Sequence, residues 1–217
     1  MNISDLYSLF KKHPIICTDS RETLKNSLFI ALNGENFNGN QFANEAIKKG
    51  CAFAIIDDKK YKTCEKTILV NNTLAILQSL ATYRRDQLNI PVIGITGTNG
   101  KTTSKELIKH VLSTQFSIYA TKGNLNNHIG VPLSILRITR EHKIAIIEMG
   151  ANHPKEIEKL CAISKPTHGI ITNVGLAHLK GFRNLEGVVK TKNELYEYIK
   201  KTKGHLFVNE QNKLLLK

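Results

Sequence analysis

The sequence predicts an α/β fold in two units, a small N-terminal α/β domain followed by a P-loop parallel-sheet domain, and three observations carry that reading. Short apolar strands alternate with helical stretches along most of the 217 residues. A polar segment ending in proline, residues 86–91, interrupts the alternation. Beyond it the apolar run Ile93-Gly94-Ile95-Thr96 passes straight into Gly97-Thr98-Asn99-Gly100-Lys101-Thr102-Thr103, a glycine loop closed by a lysine and two hydroxyls. The expected boundaries are a first domain over 1–85, a linker over 86–91 and a second domain over 92–217.

In the first domain, strands are expected at 27–32, 52–57 and 67–70, with helices at 41–49 and 73–85. In the second, strands at 92–96, 117–121, 144–149, 169–173 and 206–209 are separated by helices, the pattern of a parallel sheet with helical crossovers. The helix after the glycine loop is marked by Leu107, Ile108, Val111 and Leu112 at helical spacing. Ligands of such sheets gather at the C-terminal ends of the strands, which places 97–103, Glu148 and the 173–178 loop on one rim.

The glycine loop has specific physics. Its glycines let backbone N–H groups turn toward phosphate oxygens, Lys101 reaches the terminal phosphates, and Thr102 offers a hydroxyl to Mg²⁺. A turn that merely caps a helix explains neither Lys101 nor two successive hydroxyls. The general P-loop pattern places glycine five residues before Gly100; here that position is Ile95 and the glycine is Gly97, a shorter loop.

Other residues stand out less sharply. Glu148 closes the apolar strand Ile144-Ala145-Ile146-Ile147, where a carboxylate either meets Mg²⁺ or is a solvated strand end. His178 follows the 169–173 strand on the same rim. In a helix over 186–200, Val188, Val189, Leu195, Tyr196 and Ile199 share an apolar face with Lys192 in its middle and Lys190 on the far side. A lysine so placed must snorkel, find an anion or lose its charge. Asn124, Asn126 and Asn127 sit in a glycine-containing loop that suits either amide recognition or simple turn chemistry.

Composition excludes several function classes. Hydrophobic residues make up 41% and charged residues 23%, with no low-complexity tract and no internal repeat. No apolar run approaches a membrane span, and the first dozen residues, with Asp5, Lys11 and Lys12, lack a signal-peptide core, so a cytoplasmic protein without membrane insertion is expected. Cys17, Cys51, Cys64 and Cys161 show no metal-type pairing and read as reduced structural thiols. The formal net charge is +13; residues 1–90 hold 12 basic and 9 acidic side chains and the remainder 19 and 9, so the excess lies on the nucleotide half. Without basic-aromatic interleaving it argues for phosphate-rich small molecules rather than nucleic acid.

The stretch from Thr96 to Thr103 resembles the ATP loop of the Mur ligases and their folylpolyglutamate synthetase relatives. The segments Lys122 to Pro132, Glu148 to Pro154, Asn173 to His178 and Lys190 to Tyr196 are similar, in order, to the branch of that family that adds D-alanyl-D-alanine. Thr18-Asp19-Ser20-Arg21, then Ser27 to Leu32 and Gly34, resembles the UDP-sugar-binding domain of the same enzymes.

The resemblance implies an ATP-dependent ligase. ATP would phosphorylate the carboxylate of a UDP-N-acetylmuramoyl-tripeptide, and the amine of D-alanyl-D-alanine would attack the acyl phosphate. It further implies Mg²⁺ held by Thr102, Glu148 and His178, a CO₂-derived carbamate on Lys192 supporting the metal, Lys101, Lys192 and His178 as catalytic residues, and Ser20, Arg21, Asn124, Asn126 and Asn127 as substrate contacts. The motif near His178 departs from the family in carrying Lys180 where an acidic residue is usual. At 217 residues the chain is short for a three-domain ligase, so a truncated central domain and no turnover by this chain alone are expected. A non-catalytic binding module, or another amide ligase such as a folylpolyglutamate synthetase, remains the competing reading. Oligomeric state and the diamino acid of the tripeptide are not legible.

Overall fold

The computed structural model describes residues 2–22, 24–175, 182 and 184–212. The chain divides into two compact units, the first ending at Arg84 and the second beginning at Arg85.

The first unit opens with α1 (Ile3–Lys12), which the sequence reading did not anticipate. Asn2 caps it, its side chain accepting from the Asp5 N–H at 2.8 Å, and Leu6, Tyr7 and Phe10 bury one face. Then follow β1 (Ile16–Cys17), β2 (Leu28–Ile30), the hairpin strands β3 (Asn33–Gly34) and β4 (Phe37–Asn38), α2 (Ala43–Lys48), β5 (Phe53–Ile56), β6 (Thr67–Leu69) and α3 (Thr73–Asp86). Four strands pair in parallel in the order β1-β2-β5-β6, and β3 and β4 form an antiparallel hairpin. Phe29, Ala31, Ala54 and Ile56 of the sheet pack with Ala43, Ala46 and Cys51. The loop after β1, the hairpin after β2 and the turn after β5 all leave strand C-termini, so they share one rim.

The second unit runs β7 (Val92–Thr96), α4 (Lys101–Leu112), β8 (Ile118–Ala120), α5 (Gly130–Leu136), β9 (Ile144–Glu148), α6 (Glu156–Ser164), β10 (His168–Ile171), α7 (Leu185–Lys201) and β11 (His205–Phe207). Its five strands are parallel in the order β11-β10-β7-β9-β8. The chain leaves central β7 for the edge at β8, returns through β9 and crosses to β10 on the other side of β7. Ligands of doubly wound sheets settle outside the strand ends at such a reversal. Ile95 pairs with Glu148 and Thr96 with Ile171, so the chain exits from three adjacent strands are level.

One expectation needs correction. Of the apolar positions on α4, Ile108 and Leu112 join the core beside Ile95 and Ile146, whereas Leu107 and Val111 face outward. The buried stripe continues backward through Lys105, a lysine, and so escaped a pattern built on apolar residues alone.

Candidate functional site

The phosphate loop is shaped by backbone that only glycine tolerates. Gly97 has φ +149°, and a Cβ there would lie 2.0 Å from Thr172 Oγ1; Gly100 adopts the left-handed conformation at φ +74° as the N-cap of α4. The loop is then stitched to the chain leaving β10. The Asn99 N–H donates to Asn173 Oδ1 at 3.0 Å, Thr172 Oγ1 donates to the Asn99 carbonyl at 2.7 Å, and the Gly175 N–H donates to Thr98 Oγ1 at 3.0 Å. Lys101 Nζ donates to the carbonyls of Gly97 and Thr98 at 2.8 and 3.1 Å, which fixes its ammonium over the loop. Burial lowers its pKa, and the Glu148 carboxylate works in the opposite direction. Thr103 is exposed in the first turn of α4.

Glu148 is 2% exposed and fully engaged. Thr102 Oγ1 donates to its Oε2 at 2.9 Å, Asn126 Nδ2 donates to its Oε1 at 2.9 Å, and Lys105 Nζ stands 3.7 Å from Oε2. Its own N–H donates to Thr121 Oγ1 at 3.0 Å. Hydroxyl and carboxylate oxygen side by side at a phosphate loop are hard donors of the kind Mg²⁺ takes. Among the described residues no cluster of three or more His, Cys, Asp and Glu gathers, so of these residues the pair Thr102 and Glu148 is what a cation here would meet.

Lys192 on α7 is 3% exposed with its Nζ 5.8 Å from the centre of the Phe182 ring, while Lys190 is exposed. Burial above all, and then the charge of Lys101, brings its pKa down to about 8 against the pull of Glu156 and Glu194. Glu194, unremarked in the sequence, accepts from the Lys155 and Glu158 N–H groups at 2.7 and 2.9 Å, so a side chain of α7 caps α6. The Lys155 N-cap itself is left-handed at φ +70°.

The remaining expected residues divide. Asn126 joins the Glu148 cluster, but Asn127 spends its side-chain oxygen on the Ile129 and Gly130 N–H groups at the start of α5, and Asn124 is exposed. Ser20 is buried, its carbonyl accepting from Lys49 Nζ at 2.9 Å. Arg21 is 84% exposed and forks onto Asp19, whose pKa the Arg21 hydrogen bonds hold down at about 2. His178 and Lys180 lie outside the described residues.

Sequence reading also missed a polar pocket of about 660 Å³ on the first unit, lined by Asn33, Asn36, Phe37, Asn38, Asn40 and Asp57 among others. At its floor buried Asn40 donates to Asp57 Oδ1 at 2.8 Å and accepts from the Asp57 N–H at 2.9 Å. The density of asparagine and glycine from Asn33 to Asn40 was the available signal, but turn chemistry selects the same residues.

The family description "Mur ligase middle domain" matches residues 95–217, more than half of the chain, and "Mur ligase family, catalytic domain" matches residues 13–94. The chain belongs to the Mur ligase family. It is 41% identical over 198 residues to the UDP-N-acetylmuramoyl-tripeptide–D-alanyl-D-alanine ligase of Buchnera aphidicola, covering 91% of this chain and 43% of that one. Against the Bacillus subtilis enzyme of the same name the identity is 37%, covering 90% and 43%. Among solved Mur ligases, MurF from Acinetobacter baumannii superposes with a TM-score of 0.85 at 37% identity over 92% of this chain and 44% of that one. MurF from Thermotoga maritima in complex with ADP gives 0.78 at 33% identity over 85% and 43%. The chain thus spans under half the length of these Mur ligases. No helix among the described residues is long and apolar enough to cross a membrane.

Proposed function

We propose that this Mur ligase chain works in joining D-alanyl-D-alanine to a UDP-N-acetylmuramoyl-tripeptide at the expense of ATP, a step of peptidoglycan precursor synthesis in the cytoplasm. The observation that carries the reading is the pairing of Thr102 with Glu148 beneath Lys101, on the rim to which α7 also brings Lys192 within electrostatic reach. The second unit takes the nucleotide, and the first, with Ser20, Arg21 and the polar pocket on its rim, takes the uridine diphosphate sugar.

In this reading the N–H groups of residues 97–103 and the Lys101 ammonium receive the phosphates and stabilise the charge that moves as the terminal phosphoryl group passes to the tripeptide carboxylate. Lys101 must exchange its carbonyl partners in the loop for phosphate oxygens. Thr102 and Glu148, with His178 as the further ligand the family resemblance implies, would hold Mg²⁺, which would neutralise charge on the phosphate oxygens. Asn126 keeps the Glu148 carboxylate turned toward the loop. Lys192, with its pKa brought down to about 8, keeps a fraction of neutral amine at physiological pH and is suited to carbamate formation with CO₂: the ammonium gives up one proton, the amine nitrogen bonds to the CO₂ carbon and loses a second, and the buried cation becomes an anion. No side chain need act as a covalent nucleophile.

Equilibrium titration with ATP and Mg²⁺ tests this. Lys101→Met is expected to weaken ATP binding about tenfold or more, the loss of a charge-assisted contact, while binding of the UDP-sugar is unchanged. Undiminished ATP affinity in the folded variant would sink the assignment.

A further inference from the structure

Behind Glu148 stands a buried lysine that the phosphate loop itself does not require. Lys105, one helical turn beyond Lys101 on α4, is 1% exposed. Its Nζ donates to the Thr121 carbonyl at 2.7 Å and lies 3.7 Å from Glu148 Oε2 and 3.2 Å from Glu106 Oε1. Burying an ammonium is costly unless it is paired and hydrogen-bonded, and both conditions are met here. The bond to the Thr121 carbonyl and the burial of the side chain hold this charge beside Glu148.

The consequence lies in the local balance of charge. Around Glu148 stand the ammonium groups of Lys101 and Lys105, the latter also 3.2 Å from the carboxylate of Glu106. Two cations against the carboxylates of Glu148 and Glu106 leave Glu148 without uncompensated negative charge. A bare divalent cation arriving at Glu148 meets a carboxylate whose charge is already offset; a polyanionic triphosphate on the loop supplies the missing negative charge and brings the cation with it.

We propose that Lys105 is a positioning residue that fixes the Glu148 carboxylate and makes cation binding at Thr102 and Glu148 conditional on nucleotide. The inference rests on the reading of this rim as a Mg²⁺ and ATP site. Thr102 and Asn126 orient the carboxylate from the loop side, and Lys105 cancels its charge from the core side.

Calorimetric titration of the chain with MgCl₂ alone, with ATP alone and with both decides the matter. Wild type is expected to show no saturable Mg²⁺ uptake without nucleotide. Lys105→Met is expected to bind Mg²⁺ alone, with a gain of roughly tenfold or more, and Lys105→Met combined with Glu148→Gln to lose that gain. Lys105→Gln, which can still donate to the Thr121 carbonyl, is the second variant should methionine prevent folding, and the same gain is expected of it.

A purely structural role would lower the thermal midpoint of the variants and leave their Mg²⁺ uptake as in wild type; that result overturns the proposal. So does saturable Mg²⁺ binding by wild type without nucleotide. A wild-type chain that takes up no ATP, with or without Mg²⁺, overturns the underlying reading and this inference with it. Normal ATP binding with unaltered variants sinks the inference alone.

Discussion

A lysine buried as deeply as Lys192, on a rim that also holds Lys101, cannot keep its ordinary basicity. Its pKa of about 8 against the usual 10.5 means that the folded chain sheds this proton at a pH where the unfolded chain still holds it. Folding stability contributed by this group therefore rises as pH climbs from about 8 toward the ordinary lysine range, and is withheld below it. The same depression makes a neutral amine available to CO₂. In ¹³C-bicarbonate a carbamate resonance is expected to grow between about pH 7 and 8.5 and to be missing from Lys192→Gln; its persistence in that variant would assign it to another amine. Lys192 could be singled out from sequence because its conflict is local, one lysine amid five apolar neighbours on a helix. Lys105 could not, because its partners Thr121 and Glu148 come from distant strands and only the fold assembles them.

Helices α6 and α7 are joined by a clamp rather than by apolar packing alone. Glu194 of α7 accepts two backbone N–H groups at the start of α6, and Glu156 accepts those of Asn152 and His153 at 2.6 and 3.1 Å, so the turn after β9 has its donors met by carboxylates. Two charge-assisted bonds lost in Glu194→Ala are expected to cost about 1 to 3 kcal/mol, read by urea denaturation; an unchanged midpoint would mean that water replaces them freely. The glycine loop was legible because its geometry is written in its residue types: Gly97 and Gly100 are dictated by φ, and the lysine and hydroxyls by phosphate. Helix α5 was not, since all seven of its residues are buried and a helix apolar all round carries no period. Its start depends on Asn127, a residue whose cap and whose possible substrate contact look alike in sequence. Strand β1 is two residues long, too short for any alternation to register.

The whole chain carries a formal charge of +13, most of it beyond residue 90. Such an excess repels itself in the compact state, so raising the salt from about 20 to about 300 mM is expected to raise the thermal midpoint by a few degrees through screening. A midpoint that falls would show that ion pairs, such as those of Lys155 with Glu158 and Lys49 with Glu45, outweigh the repulsion. The two-unit α/β architecture followed from strand and helix alternation, and the rim from the strand that precedes the glycine loop. What escaped were particular partners across the sheet, Lys105 with Thr121 and Glu194 with the start of α6, although the meeting of the glycine loop with Glu148 was expected.

The placement of β7 has a bearing on how the protein is made. Ile93 pairs with Ile146 on one side and with His168 on the other, and Asn99 is held by Thr172 and Asn173. During vectorial synthesis the loop leaves the ribosome well before Thr172 and Asn173, which hold it in place. Parallel pairings so remote in sequence close late. In the proposed reading ATP would therefore not serve as an early template for the nascent second unit; it would find its loop only after β10 has docked, the apolar faces of β7 staying uncovered until then.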